Sequence, residues 1–402
     1  MIKKYKTGEL LEVSIEKIVP NGFGLAFAEN LTVFVPLSVK GDKVRVKIYQ
    51  LKGKTAFADI VEIVEPSSER VEPLCKYFGK CGGCSFQQMN YSAQLSAKIS
   101  ILRDCLSRIG KIDYQKEIDI IPSPNEFEYR SRAQWHLDTR RRKFGYFERN
   151  SHRVIDVENC PILTPELNET LTELRTDVEW NSFLEEIIDI ESANSGDAVS
   201  VFSDEIIEPT KDIVFHSNGF EFAYSSNIFF QGNQFLIEKL VGLSTSEFSG
   251  EIALDLYSGV GLFTLPLSKS FSKVIAVEAY GRAVDFAEKN AENARVENVE
   301  FSRETVIDFL EENSKDLKNV DFVLLDPPRS GTEKGMIEKL AGLQPRSIIY
   351  VSCEPSILAR DLSILTKSGY TIASITAIDL FPQTSHVETV VRLKFSAADQ
   401  ES

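Results

Sequence analysis

From residue 251 onward the chain alternates short apolar runs with stretches whose apolar residues recur at helical spacing. The runs near 251–256, 273–278, 299–303, 321–326 and 347–352 have the length and unbroken apolar character of strands covered on both faces. Between them lie helical stretches such as Arg282 to Asn290, which follows Gly281. Two more strands, 370–379 and 387–395, close the series, with helices between the first six. Strand and helix in alternation predict an α/β domain with a doubly wound sheet, whose ligands sit beyond the carboxyl ends of the strands. Gln88 to Gly110 reads as a helix that packs against this domain from outside its stretch of sequence.

The front of the chain has a different period. Glu12 to Ile15, Leu31 to Val35 and Lys43 to Ile48 are short β-rich runs, with turns at Asn21-Gly22-Phe23-Gly24 and Lys40-Gly41-Asp42. That pattern suggests a small OB-like β-barrel over residues 1–64, a fold that commonly binds nucleic acid. A central α+β domain follows over 65–220, and the α/β domain occupies 221–402. A length of 402 residues, 43% of them hydrophobic, suits two to three well-packed domains. No apolar run approaches the ~20 residues that span a bilayer. Nor does an N-terminal apolar stretch suggest export, so the expected location is cytoplasmic. The last stretch, Ala397 to Ser402, is expected to fray.

The first strand of the α/β domain, Ile252 to Leu256, runs into Tyr257-Ser258-Gly259-Val260-Gly261. Glycines at a strand-to-helix turn let backbone approach a ligand closely. The next run, Val274 to Val277, ends in Glu278, 19 residues after Gly259. That is near the spacing of about 20 at which a second-strand acid accepts ribose hydroxyls. The turn lacks a third glycine at the dinucleotide spacing, and a cofactor without phosphates has less use for one. S-adenosylmethionine therefore fits better than a dinucleotide.

Three further motifs fall at strand ends: Asp326-Pro327-Pro328-Arg329, Val351-Ser352-Cys353-Glu354-Pro355, and Ser385-His386-Val387-Glu388-Thr389. A thiol and a carboxylate so placed suit a ring such as uracil. Addition of thiolate to carbon 6 makes carbon 5 nucleophilic toward an electrophilic methyl group, and a base must then remove the carbon 5 proton. An amine methylase on the same fold would carry N-P-P-[YF] after its fourth strand and would need no thiol on the fifth.

With these motifs the C-terminal half resembles the RNA (uracil-5-)-methyltransferase family, which joins a Rossmann-like class I S-adenosylmethionine-dependent methyltransferase domain to an S-C-x-P motif and a C-terminal H-x-E-x-V motif. The resemblance implies Cys353 as nucleophile and Glu388 as base. It implies cofactor contacts from Gln231, in Phe229-Phe230-Gln231-Gly232-Asn233, and from Tyr257, Glu278 and Asp326. Arg130-x-Arg132-x-Gln134 matches a substrate-side, RNA-binding segment of the family, and the N-terminal unit resembles its TRAM domain.

Cysteine spacing gives a separate signal. Cys75, Cys81 and Cys84 lie within ten residues and Cys160 precedes Pro161 far downstream. Thiols packed this closely in a cytosolic chain usually bind metal. Zinc ribbons use two C-x2-C knuckles and only one is present, so cysteine-only ligation favours a [4Fe-4S] iron-sulfur cluster over zinc. The resemblance to the rRNA-modifying members points the same way. Cys105 lies at helical apolar spacing and reads as core.

Charge refines the partner. The chain carries 45 basic against 60 acidic residues, a net of −15, whereas nucleic-acid binders are more often basic. Distribution matters more than the total. From Arg130 to Arg153, eight basic residues face two acidic ones, interleaved with Trp135, Phe144, Tyr146 and Phe147, as single-stranded RNA recognition requires. The acidic surplus over 166–216 reads as a solvated face. The expected activity is methyl transfer from S-adenosylmethionine to carbon 5 of an RNA uridine, in 23S rRNA by resemblance to members that pair the barrel with cluster cysteines. No membrane and no obligate protein partner is implied. The competing readings are a tRNA uridine-5 methyltransferase and a non-enzymatic iron-sulfur RNA-binding protein.

Overall fold

The computed structural model describes residues 5–180, 182–205, 210–315, 317 and 319–396, so the 397–402 stretch lies outside the described residues. An eight-stranded sheet organises the C-terminal half. Its order is Val299–Ser302, Phe271–Val277, Gly250–Leu256, Phe322–Leu325, Ser347–Ser352, Glu388–Phe395, Tyr370–Ile378 and Asp119–Ile121. The first five run parallel, and Glu388–Phe395 runs antiparallel to both neighbours. Strands at the centre, such as Phe322–Leu325, are buried at every position because helices cover both faces.

Seven strands fall where the apolar runs predicted them. The eighth, Asp119–Ile121, pairs in parallel with Tyr370–Ile378, although sequence analysis assigned its segment to the central domain. Three residues are too few for a period to show. Helix Gly281–Asn293 buries Ala283, Val284, Ala287, Asn290 and Ala291, one stripe at helical spacing. Asn290 at its far end accepts from the Ala223 amide at 2.8 Å and donates to the Val260 carbonyl at 3.1 Å, anchoring the glycine turn.

The N-terminal sheet has six strands, with Leu10–Ser14 at one edge and Lys17–Val19 at the other. These edges are consecutive in the chain. Ile15 donates to the Asp42 carbonyl and Glu16 to the Leu25 carbonyl, so the sheet rolls closed. Inward positions alternate strictly, with Val33, Val35, Val44, Val46, Ala56 and Ala58 wholly buried.

Helix Tyr91–Arg108 joins the barrel to the eight-stranded sheet. Asn90 caps it, its side chain accepting from the Ala93 amide at 2.9 Å. Its Ala93, Ala97, Ile101, Leu102, Cys105 and Leu106 belong to one apolar core that runs from the barrel interior to the sheet. The same helix buries two polar side chains, and both grip the segment between the last two strands of sheet pairing. Lys98, wholly buried, forms an ion pair with equally buried Asp379 and donates to the Phe381 carbonyl at 2.9 Å. Gln94 donates to the Gln383 side chain at 3.0 Å and accepts from the Gln383 amide at 2.9 Å. No described helix is long and apolar enough to cross a membrane.

A central five-stranded antiparallel sheet carries Arg132–Asp138 in its middle. Here the expectation of exposed stacking aromatics needs correction. Ala133, Trp135 and Leu137 share the inward face, and Trp135 meets buried Phe144 edge to face at 6.0 Å. Strand alternation sends them into the core, whereas Phe147 is covered by His136, their ring centroids 3.6 Å apart.

Removing one member of a buried ion pair strands the other's charge, at about 3–5 kcal/mol. Asp379→Ala should therefore lower unfolding free energy by about that amount in urea titration. The double change Lys98→Met, Asp379→Leu should recover most of it. Equal losses in the single and double variants would show that the pair contributes nothing specific.

Candidate active site

The carboxyl ends of the central strands bring the sequence motifs together. Leu256 pairs with both Val277 and Leu325, so Tyr257, Glu278 and Asp326 emerge side by side at one sheet edge. On the next pair, Ser352 stands opposite Thr389 in antiparallel register. The following residue on one strand and the preceding residue on the other are Cys353 and Glu388, which are thereby neighbours.

Tyr257 takes a left-handed backbone at φ 63°, followed by Gly259 at 55° and Gly261 at 90°. This turn wraps back so that the Gly259 amide donates to Glu278 Oε2 at 3.1 Å, while Glu278 Oε1 accepts from the Tyr280 amide at 2.7 Å. The Tyr257 hydroxyl is hydrogen-bonded to Glu333. Gln231 donates to Asp326 Oδ2 at 3.3 Å, joining two of the expected cofactor residues. No atom lies within 4 Å of where a Gly232 Cβ would stand, so the glycine is not demanded there.

Asp255, which sequence analysis did not single out, lies wholly buried just before the turn. Its Oδ2 accepts from Thr264 at 2.5 Å and its Oδ1 has no partner among the described residues. Burial raises its pKa to about 7, as it does for Asp326, where Asp255 adds repulsion. An acid one residue before the end of a first strand that leads into a glycine turn was the available signal.

Cys353 is partly exposed and its thiol is pushed up to about 12, chiefly by burial and then by Glu388. Arg329 opposes this, both by charge and by a hydrogen bond to the thiol. Glu388 is 2% exposed, and its Oε1 has no hydrogen-bond partner among the described residues. Burial first and Asp326 second hold its pKa well above the usual carboxylate range, again against Arg329. Burial thus favours the uncharged form of both the thiol and the carboxyl. Arg329 was quoted in its motif without a role. Its guanidinium lies 5.8 Å from the Phe381 ring centroid, beside both reactive groups.

Cys75, Cys81, Cys84 and Cys160 line one cavity of about 280 Å³, together with Arg130, Gln134, Arg329 and His386. All four are free thiols. Burial raises Cys81 to about 11 and Cys84 to about 12, and raises Cys160 as well. Among the described residues, no group of three or more His, Cys, Asp or Glu side chains is arranged to hold a metal ion. Cys105 is 2% exposed within the core. Arg130 faces the thiols and its Nε donates to the Arg132 carbonyl at 3.0 Å. Arg132 donates to the Ser226 carbonyl at 2.7 Å, and exposed Gln134 to Asp189 at 3.2 Å. Burial and nearby positive groups, Arg329 first among them, push His386 down to about 4.

Comparison with known proteins agrees with this geometry. Residues 194–396 match the family described as tRNA (Uracil-5-)-methyltransferase, and residues 4–61 match the TRAM domain. An uncharacterized RNA methyltransferase of Thermotoga maritima is 31% identical over 96% of this chain and 99% of its own length. Another from Thermosynechococcus vestitus is 29% identical, covering 98% of this chain and 99% of the relative. A tRNA (uracil-54, C5)-methyltransferase of Pyrococcus abyssi, solved with S-adenosyl-L-homocysteine, superposes with a TM-score of 0.72 at 24% identity over 95% of this chain and all of that one. The chain belongs to the tRNA (uracil-5-)-methyltransferase family, as an S-adenosylmethionine-dependent RNA methyltransferase with an N-terminal TRAM domain.

Proposed function

We propose that the enzyme methylates carbon 5 of a uridine in 23S rRNA through a covalent adduct on Cys353. The observation that carries the mechanism is the placing of Cys353 beside Glu388, where Ser352 opposes Thr389 in antiparallel register, with Glu388 Oε1 free of any hydrogen-bond partner among the described residues. Adenosylmethionine, held by Gln231, Tyr257, Glu278 and Asp326, supplies an electrophilic methyl and a sulfonium charge. Arg329 favours ionisation of the Cys353 thiol, whose proton passes to solvent; the thiolate sulfur then bonds to carbon 6 while the carbon 5–carbon 6 electron pair moves toward carbon 5 and the O4 oxygen. Carbon 5 then takes the methyl, while the methyl–sulfur bond breaks and its electron pair leaves on the sulfur of neutral S-adenosylhomocysteine. The Glu388 carboxylate removes the carbon 5 proton, the double bond re-forms, and the Cys353 thiolate leaves.

The same reading gives Cys75, Cys81, Cys84 and Cys160 to a [4Fe-4S] cluster. The four thiols line one cavity without closing on a single point as an ion bonded at about 2.3 Å needs, and a cluster of several irons spans more of that space than one zinc ion. Arg130 would offset part of the thiolate charge there. The cluster's role is structural, since the methylation moves no electrons. The choice of 23S rRNA over tRNA rests on barrel and cluster thiols occurring together. Mapping 5-methyluridine in rRNA and tRNA of a deletion strain decides it, and loss from tRNA alone would overturn the rRNA assignment.

Wild-type enzyme should form an adduct with 5-fluorouridine RNA that survives denaturing electrophoresis, because fluorine cannot leave as a proton. Cys353→Ala should form none, and an adduct in that variant would remove Cys353 from the nucleophile's role.

In Glu388→Gln, addition and methyl transfer need no base at carbon 5. A methylated covalent intermediate should accumulate while turnover falls by about 10²–10⁴-fold. Turnover near the wild-type rate would transfer the role to another carboxylate, Asp326 first.

Anaerobically prepared protein should be brown, with about four irons and four sulfides per chain. Ser substitution at Cys75, Cys81, Cys84 or Cys160 should bleach it and Cys105→Ser should not. Stoichiometric zinc under iron-replete conditions would overturn the cluster while leaving the methyltransferase reading intact.

A further inference from the structure

The outward face of a small barrel ordinarily carries polar residues, since alternation sends the apolar ones inside. Here four outward positions are aromatic. Phe34 and Phe57, directly paired on parallel strands, stack with centroids 5.4 Å apart. Phe23 meets both edge-on, at 6.3 and 6.0 Å. Tyr49, 44% exposed, lies 6.4 Å from Phe57. Tyr49 falls where the register between neighbouring strands shifts, between Ile48 and Gln50, so a bulge aims it at this face.

The aromatic strip runs into the catalytic region. Phe23 lines a cleft of about 570 Å³ together with Arg149, Ser85 and His386. Cys84, Thr384 and His386 line both this cleft and the thiol cavity that reaches Arg329. The barrel is held against the catalytic loop at this point. A Cβ on Gly22, at φ 73°, would stand 3.1 Å from Phe86 and 3.3 Å from Ser385, so the turn approaches as closely as glycine allows.

We infer that this strip is a stacking platform for single-stranded RNA next to the target uridine, feeding that nucleotide through the cleft toward His386 and Arg329. The inference rests on the proposed function and names the surface that holds the substrate. Aromatic rings clustered on one outward face, continuous with the cleft of a base-modifying site, suit unpaired bases. Charge does not dominate here. Among the described residues Arg149 is the one arginine or lysine lining the cleft, and it stands by Asp59 and Tyr49 with Glu148 beside it, so phosphate attraction at this surface is limited to a single cation. Recognition therefore depends on stacking and only weakly on salt.

The test uses full-length holoenzyme and a labelled single-stranded oligoribonucleotide of about 16 nucleotides containing uridine, followed by anisotropy. Leucine keeps apolar bulk but removes the flat ring. The double variant Phe34→Leu, Phe57→Leu should bind RNA about 5- to 150-fold more weakly, the range for losing one stacked base. Its adenosylmethionine affinity and thermal midpoint should match wild type, and Phe57→Trp should retain RNA binding. The slope of log affinity against log salt should be unchanged in the leucine variant, while Arg149→Gln should lower its magnitude by about 0.7. Unchanged RNA affinity in the leucine variant would overturn the inference and leave the face to some other partner. If that variant misfolds, exposed Tyr49→Leu carries the same test. Leucine variants that methylate RNA with wild-type KM sink the platform but leave the chemistry standing. Wild type that binds through this face yet makes no 5-methyluridine sinks the chemistry alone.

Discussion

The buried pairing of Lys98 with Asp379 fixes the loop on which the reactive geometry depends. Two fully buried charges stabilise little in net terms, because desolvation offsets most of their attraction. What they supply is position. Lys98 reaches across from helix Tyr91–Arg108 and also holds the Phe381 carbonyl, while Gln94, one turn earlier, exchanges two hydrogen bonds with Gln383. Ser85 and Phe86 both donate to the Gln383 carbonyl, and Tyr129 donates to that of Pro382. A loop that would otherwise be free is thus tied to the helix, the thiol-bearing segment and the central sheet. Phe381 on it faces Arg329, and Glu388 follows at once as the strand begins.

Strand register does the rest. A slip of one residue in a sheet sends every side chain to the opposite face. With Ser352 opposite Thr389, such a slip would turn Glu388 away from Cys353. The reversal of the last strands relative to the parallel five therefore has a chemical consequence, placing an acid from the far end of the chain beside a thiol that leaves a parallel strand. The residues proposed to hold the cofactor need no such reversal, and they come from parallel ends and from the Gln231 segment.

Much of this was legible from the chain. Unbroken apolar runs identify parallel strands reliably because burial on both faces leaves no alternation to misread, and the motif residues lie at the ends of those runs. What failed had physical causes. Asp119–Ile121 is too short to carry a period. Trp135 and Phe144 lie among basic residues in sequence, yet on a strand adjacent residues face opposite ways, so the arginines and the aromatics part company. Lys98 and Gln94 sit among apolar neighbours on a helix, where a lone polar residue reads as surface until its partner some 280 positions later is brought alongside. Arg329 and Asp255 take their importance from neighbours distant in sequence, which no local pattern reports.

Burial governs the electrostatics at the carboxyl ends of these strands. Asp255, Asp326, Glu388 and Cys353 are crowded at one sheet edge, and their full ionisation would repel both one another and a phosphate backbone. Burial favours the uncharged form of each instead, raising Asp255 and Asp326 to about 7 and Cys353 to about 12. Arg329 is the fixed positive group beside Cys353 and Glu388, and it favours the charged form of each. In the proposed mechanism the thiol and the carboxyl must ionise in turn, so charge develops only when a cationic methyl donor and an electron-poor ring share the pocket. The same desolvation that makes the groups inert alone makes the attraction of Arg329 strong, because a low dielectric enlarges both effects together.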